Sequence, residues 1–155
     1  MPVILLDTSV LVRERDTGDP YHSLTISCVR RLWQSQCSVC ITTQSLIEYW
    51  SVATRPAEAR GGLGLSPQTA IGDIEHFLNI HEFLEEPPGI LQQWLSLVHR
   101  HQVRGKQVWD ARLVAVMELL GIRHLLTFNK GDFLRYPSIF AWTPLETEEV
   151  LETIT

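Results

Sequence analysis

Short apolar runs rich in Val and Ile alternate along this chain with longer stretches in which apolar residues return every three or four positions. Val3-Ile4-Leu5-Leu6, Val39 to Thr42, His124 to Phe128 and Ile139 to Trp142 are bounded by polar residues, as strands covered on both faces are. Phe83-Leu84, halted by Glu85-Glu86-Pro87-Pro88, predicts a short edge strand. Helical spacing appears in Ile26, Val29 and Trp33, with Cys28 and Leu32 beside them, after Asp19-Pro20 as cap and first helical residue. It returns in Leu46, Ile47, Trp50 and Ala53 over residues 43–54, and in Ile71, Ile74, Phe77 and Leu78 after Ser66-Pro67. Leu91, Trp94, Leu95 and Val98 build one more helix up to His101. Trp109 to Met117 is apolar around most of its circumference and closes at Gly121, so it predicts a central helix. Strands alternating with helices give an α/β fold, a three-layer α/β/α sandwich around a mainly parallel sheet. Residues 1–145 form one domain, residues 57–66 a flexible connection, and residues 146–155 an acidic tail that frays or docks.

Composition narrows the class. With 155 residues, 45% of them hydrophobic, the chain can bury a substantial core in a single domain. No apolar stretch approaches the roughly 20 residues that span a bilayer, and no basic residue precedes Arg13. A soluble, unsecreted, cytoplasmic protein is expected, and three cysteines make no even disulfide framework. The net charge of -5 argues against a polyanion partner only weakly. Four acids, Glu146, Glu148, Glu149 and Glu152, lie in the last ten residues, which leaves 13 basic and 14 acidic groups in residues 1–145.

The placement of other acids carries the functional signal. Asp7 directly follows the first strand, Glu48 follows the second, Asn129 and Asp132 follow the fourth, and Asp110 opens the central helix. Right-handed crossovers bring strand-to-helix junctions to one rim, where ligands of open α/β sheets bind. Each acid also has a local explanation. Asp7 suits a helix N-cap, Ser45-Leu46-Ile47-Glu48 matches a capping box, and Asp110 in a first turn meets the positive end of a helix dipole. Carboxylates brought together repel one another unless a cation compensates them. An oxygen-only set suits Mg²⁺, with Mn²⁺ as the other candidate, and such ions support hydrolysis of a phosphodiester. Thr8, Ser9 and Thr127 can orient ligands or a phosphate, and Arg112, in the same turn as Asp110, is the best phosphate-contact candidate.

The order Asp7-Thr8-Ser9, Glu48, Trp109-Asp110-Ala111 with Leu113-Val114-Ala115, then Leu126-Thr127-Phe128-Asn129 and Asp132-Phe133, resembles the PIN domain family, and within it toxin ribonucleases of the VapC type. The resemblance spans nearly the whole chain. It implies a Mg²⁺-dependent endoribonuclease acting on RNA, a homodimer, and an antitoxin protein that holds it inactive. It further implies direct metal ligation by Asp7 and Asp110, direct or water-mediated ligation by Glu48, and Asp132 as the fourth acid. Trp109 stands where similar proteins often have His, and the fourth acidic position varies in the family between those of Asn129 and Asp132.

Other features carry less. Gly61, Gly62 and Gly64 are not followed by Lys-Ser or Lys-Thr, so a phosphate loop fails. Cys37 and Cys40 have half a zinc spacing, but no second pair exists and the two face opposite ways on a strand. His99 and His101 read as surface residues, and the tryptophans as core or dimer-face residues rather than base-stacking ones. Two rival functions remain: a PIN-like module that binds RNA or protein without cutting, and an aspartyl phosphatase. The phosphatase wants a second Asp two residues after the first, where this chain has Ser9.

Overall fold

Period-two alternation puts Ile4 and Leu6 of strand β1 (Val3–Leu6) on one face of the sheet and Leu5 on the other, and builds two cores at once. The same holds for β2 (Ser38–Thr42), where Val39 and Ile41 oppose Cys40, and for β4 (His124–Leu126), where Leu126 opposes Leu125. In the computed structural model, which describes residues 1–155, these strands join β3 (Glu82–Leu84) and β5 (Phe140–Trp142) in one sheet. All pairings are parallel, in the order β3-β2-β1-β4-β5. The order reverses between β1 and β4, so a crevice opens beyond their carboxyl ends.

One face carries α1 (Thr8–Arg15), α2 (His22–Gln34), α3 (Thr43–Thr54), α4 (Pro67–Ile80) and α7 (Thr147–Ile154). The other carries α5 (Ile90–Arg100) and α6 (Val108–Leu120), with Ala111 and the run from Leu113 to Met117 buried on α6 as expected of a central helix. The three-layer α/β/α sandwich is therefore present, and its sheet is wholly parallel. Cys37 and Cys40 fall in opposite cores.

Local structure departs from the sequence reading at two places and at the tail takes one of its two alternatives. The helix expected from Asp19-Pro20 starts at His22, because the Asp19 carboxylate accepts from Tyr21 N at 2.8 Å and closes a turn of its own. The connection at 57–66 is stitched to the end of α3: Leu63 N donates to Val52 O at 3.1 Å and Leu65 N to Ala53 O at 2.8 Å. A Cβ on Gly62 would lie 2.2 Å from Pro56 O, so the chain can approach there only as glycine. The acidic tail docks as α7, with Val150 and Leu151 in the core and Glu148 paired to Arg31 at 2.8 Å.

Two polar links join α1 to α4, the first buried on both sides and the second on the Asp73 side alone. Glu14 meets His81 Nε2 at 2.9 Å, and the Arg15 guanidinium meets Asp73 at 2.8 Å while Tyr49 Oη donates to the same carboxylate at 2.5 Å. Such pairs are costly to break once desolvated. They fix the helix whose first turn carries Thr8 and Ser9.

Candidate active site at the carboxyl rim of the sheet

Asp7 stands in the N-cap position of α1, yet its side chain makes no capping bond. Instead Oδ2 accepts from Thr127 Oγ1 at 2.7 Å and from Ser9 Oγ at 2.8 Å. Both hydroxyls are committed further: Asn129 N donates to Thr127 Oγ1 and Phe128 N to Ser9 Oγ, each at 3.0 Å. Asp7 N also donates to Leu126 O at 3.0 Å. The ends of β1 and β4 are thus sewn together around one carboxylate, whose Oδ1 is left for another ligand.

Glu48 lies in the second turn of α3, and the capping box is absent. Ser45 Oγ donates to Leu6 O at 3.1 Å, so it caps nothing. Glu48 Oε1 accepts from Gln44 Nε2 at 2.7 Å and Oε2 from Thr8 Oγ1 at 3.2 Å. Gln44 Nε2 also donates to Trp109 O at 2.8 Å, and Gln44 Oε1 accepts from Arg112 Nη1 at 2.7 Å. Arg112 in turn holds Glu86 through two bonds, of 2.7 and 3.2 Å. A forked, charge-assisted pair of this kind is strong. Arg112, read from sequence as a phosphate contact, is therefore turned to Glu86 and Gln44 and lines neither cleft described below. Gln44 and Glu86 were not singled out by sequence; the Gln44 to Glu48 spacing of one turn was legible, the Glu86 to Arg112 pairing was not.

Electrostatics tie the acids together. Burial pushes the Asp110 carboxyl up from 3.8 to about 7, helped by the charges of Asp7, Asp132 and Glu48 and opposed only by Arg135. Burial also raises Glu48, with Asp7 adding to it, while the bonds from Gln44 and Thr8 and the charge of Arg112 pull it back. Asp132, exposed in a tight turn at Lys130–Phe133, belongs to this coupled set. Asn129 lies across the way and bonds the Asp7 clamp through its backbone.

Two clefts meet at these acids, sharing Thr8, Glu48, Val52 and Asp110. One, of about 600 Å³, includes Asp132, Lys106, Arg55 and Trp109. The other, of about 480 Å³, includes Asp7, Ser9, Arg13 and Asn129. No three His, Cys, Asp or Glu side chains stand close enough to grip one ion together. The donor set still fits Mg²⁺ or Mn²⁺, since magnesium keeps several waters and needs only one or two carboxylates. Asp7 Oδ1 and the Asp110 carboxyl, neither taken up by a hydrogen bond within the chain, are the available donors.

No curated protein matches the chain in sequence. Its backbone superposes on solved toxin–antitoxin structures. VapBC2 from Rickettsia felis, bound to a promoter DNA fragment, gives a TM-score of 0.69 at 13% identity over 91% of this chain and 98% of that one. VapC20 from Mycobacterium tuberculosis, a toxin that cleaves the sarcin-ricin loop, gives 0.62 at 23% identity over 86% and 95%. DNA-bound VapBC from Salmonella typhimurium gives 0.63 at 18% identity over 93% and 99%. At these identities the likeness establishes the fold. The PIN domain family model matches residues 4–138, a span that begins in β1 and takes in Asp7, Glu48, Asp110 and Asp132 with every element that positions them, so the chain belongs to the PIN domain family.

Proposed function

We propose that this chain is a metal-dependent endoribonuclease of the VapC type, working in the cytoplasm as the toxin of a toxin–antitoxin pair. The observation that carries the reading is the convergence of four acids from four separate segments on two adjoining clefts, both lined by Glu48 and Asp110, one also by Asp7 and the other by Asp132. Such a cluster suits a divalent cation in the open crevice of an α/β sheet. The toxin–antitoxin neighbours supply the biological setting, including an antitoxin partner. A homodimer, which the resemblance to VapC-type toxins implies, belongs to the same proposal. No helix is long and apolar enough to cross a membrane.

Asp7 and Asp110 would hold Mg²⁺ or Mn²⁺, with Glu48 joining directly or through water, and the bound ion would supply an activated water and charge neutralisation at the phosphodiester. The rest of the chemistry belongs to the chain. Thr127 and Ser9 hold Asp7 Oδ2 and leave the other oxygen to point outward. Gln44 and Thr8 each occupy one oxygen of Glu48 and fix its plane. Asp132 stands exposed in the same cleft, where it can take a proton from an incoming water and return it to the leaving oxygen.

The test compares cleavage of a mixed RNA pool in Mg²⁺, in Mn²⁺ and in EDTA, by wild type and by Asp7→Asn and Asp110→Asn. Metal-dependent cuts that disappear in both variants are expected. Folded wild type that binds RNA without cutting it would favour the binding-module reading. Activity surviving both substitutions would dismiss this site.

A further inference from the structure

The two clefts that meet at the acids differ in charge and in surface. In the second, Arg13 is the sole cation, and it leans on Asp19 at 3.5 Å and stacks over Phe128 at 4.3 Å beside Asp16. In the first stand Lys106, which enters no ion pair, and Arg55, whose guanidinium reaches only Arg60 O and Ser51 Oγ. Both line this cleft without a carboxylate partner, so they remain open to an anion. Next to them Trp109 is 58% exposed, although it opens the most buried helix of the fold. A large exposed ring on a rigid element is costly to leave in water and loses little freedom on contact. Here the backbone is pinned, because Trp109 O accepts from Gln44 and Val108 O from Trp94 Nε1 at 2.9 Å.

An indole face beside two unpaired cations is the combination that takes a nucleotide: the ring stacks on a base and the cations meet the flanking phosphates. Bases inside a duplex are already stacked on one another, so only an unpaired nucleotide can use it. We propose that Trp109, Lys106 and Arg55 form the subsite that seats an unpaired nucleotide next to the scissile phosphate, so that the substrate strand leaves the acids on this side. The proposal rests on the ribonuclease reading above.

The test uses the Asp7→Asn background in Mg²⁺, so that the strand is bound without being cut. Anisotropy is read on a fluorescein-labelled 12-mer oligoribonucleotide, unpaired or annealed to its complement, and the mass of each protein in solution is measured in parallel. Trp109→Ala should weaken the unpaired strand roughly 5- to 150-fold, the range that one stacked base commands. Trp109→Phe should recover most of that loss, and the duplex should bind weakly throughout. Lys106→Ala should flatten the dependence of log affinity on log salt by about 0.7, whereas Trp109→Ala should leave that slope alone. Affinity within twofold of the parent for Trp109→Ala overturns the subsite. So does a fall in mass shared by Trp109→Ala and Leu91→Ala, its neighbour on the adjoining apolar face, because the ring would then meet a second copy of the chain. If the parent binds no RNA at all, the ribonuclease reading fails and the subsite fails with it.

Discussion

Removing one negative charge from the acid cluster should stabilise the metal-free protein, and Asp110→Asn is the substitution that isolates the effect. The Asp110 carboxyl titrates at about 7 in the folded chain against 3.8 for an ordinary aspartate, and no hydrogen bond contributes to the difference. Below the ordinary value both states hold the proton and the residue is neutral to stability. Between the two values only the folded state holds it, so stability falls as pH rises; above about 7 the cost is complete. Each pH unit of the gap is worth about 1.4 kcal/mol, so a fully desolvated group would cost roughly 4 kcal/mol. Asp110 is only partly buried, and solvent screening reduces this to about 2 kcal/mol. For a chain of this size that is roughly 4–8 °C in Tm. Thermal unfolding in EDTA should therefore show Asp110→Asn melting above wild type at pH 8, with most of the gain gone at pH 4.5. Millimolar Mg²⁺ at pH 8 should raise wild type more than the variant, because it neutralises the same repulsion. Equal melting at pH 8, or a gain of the same size at both pH values, would refute the electrostatic reading of the cluster.

Three further outcomes follow. Gln44→Ala leaves Glu48 Oε1 and Arg112 without their shared partner, so Mn²⁺ affinity measured calorimetrically should fall about tenfold; affinity within twofold of wild type would mean that Gln44 does not position Glu48. Leu151→Ala should cost about 2–4 kcal/mol in urea unfolding, since the tail helix is part of the core; a loss under about 1 kcal/mol would mean that α7 only lies on the surface. Burial pushes the Cys28 and Cys40 thiols up to about 11. Native protein at pH 8 should therefore resist iodoacetamide at both positions while unfolded chain reacts, as mass spectrometry of the peptides would show, and rapid native labelling would contradict their burial.

The layers and the central helix were legible because hydrophobic periodicity reports burial directly. β1 and β2 show each face of the sheet in alternate residues, and α6 is apolar around most of its circumference because Ala111 and the run from Leu113 to Met117 are buried. What periodicity could not show is where polar side chains find distant partners. Thr127 and Ser9 were readable as hydroxyls near the rim, but that both serve Asp7 depends on β1 and β4 being neighbours across 118 to 120 positions of sequence. Arg112 looked free because its partner, Glu86, lies 26 residues earlier in a segment read only as a strand stop. Glu14 stands between Arg13 and Arg15 in the sequence, and its burial against His81 likewise depends on contacts 67 positions away. The glycine connection read as flexible for the same reason, since its bonds to the last turn of α3 are local in space but not periodic in sequence.

Each of three acids was also offered a local task, and the structure assigns none of them to it. Asp7 occupies a cap position and does not cap; Glu48 occupies a box position while Ser45 bonds Leu6 O instead. Asp110 does sit in a first helical turn, where the dipole favours a negative charge by about 0.3–1 kcal/mol. Yet its carboxyl is driven toward the neutral form, so burial and the other acids outweigh the dipole. A dipole-stabilised aspartate would have moved the opposite way. Local rules therefore fail together, at one rim, and burial disfavours the charged form of two of the three acids, Glu48 and Asp110. Such joint failure is expected where side chains are kept for a ligand rather than for folding. The hydroxyl clamp on Asp7 and the Gln44 bridge on Glu48 hold those two carboxyl groups in fixed orientations, as the proposed cation site requires.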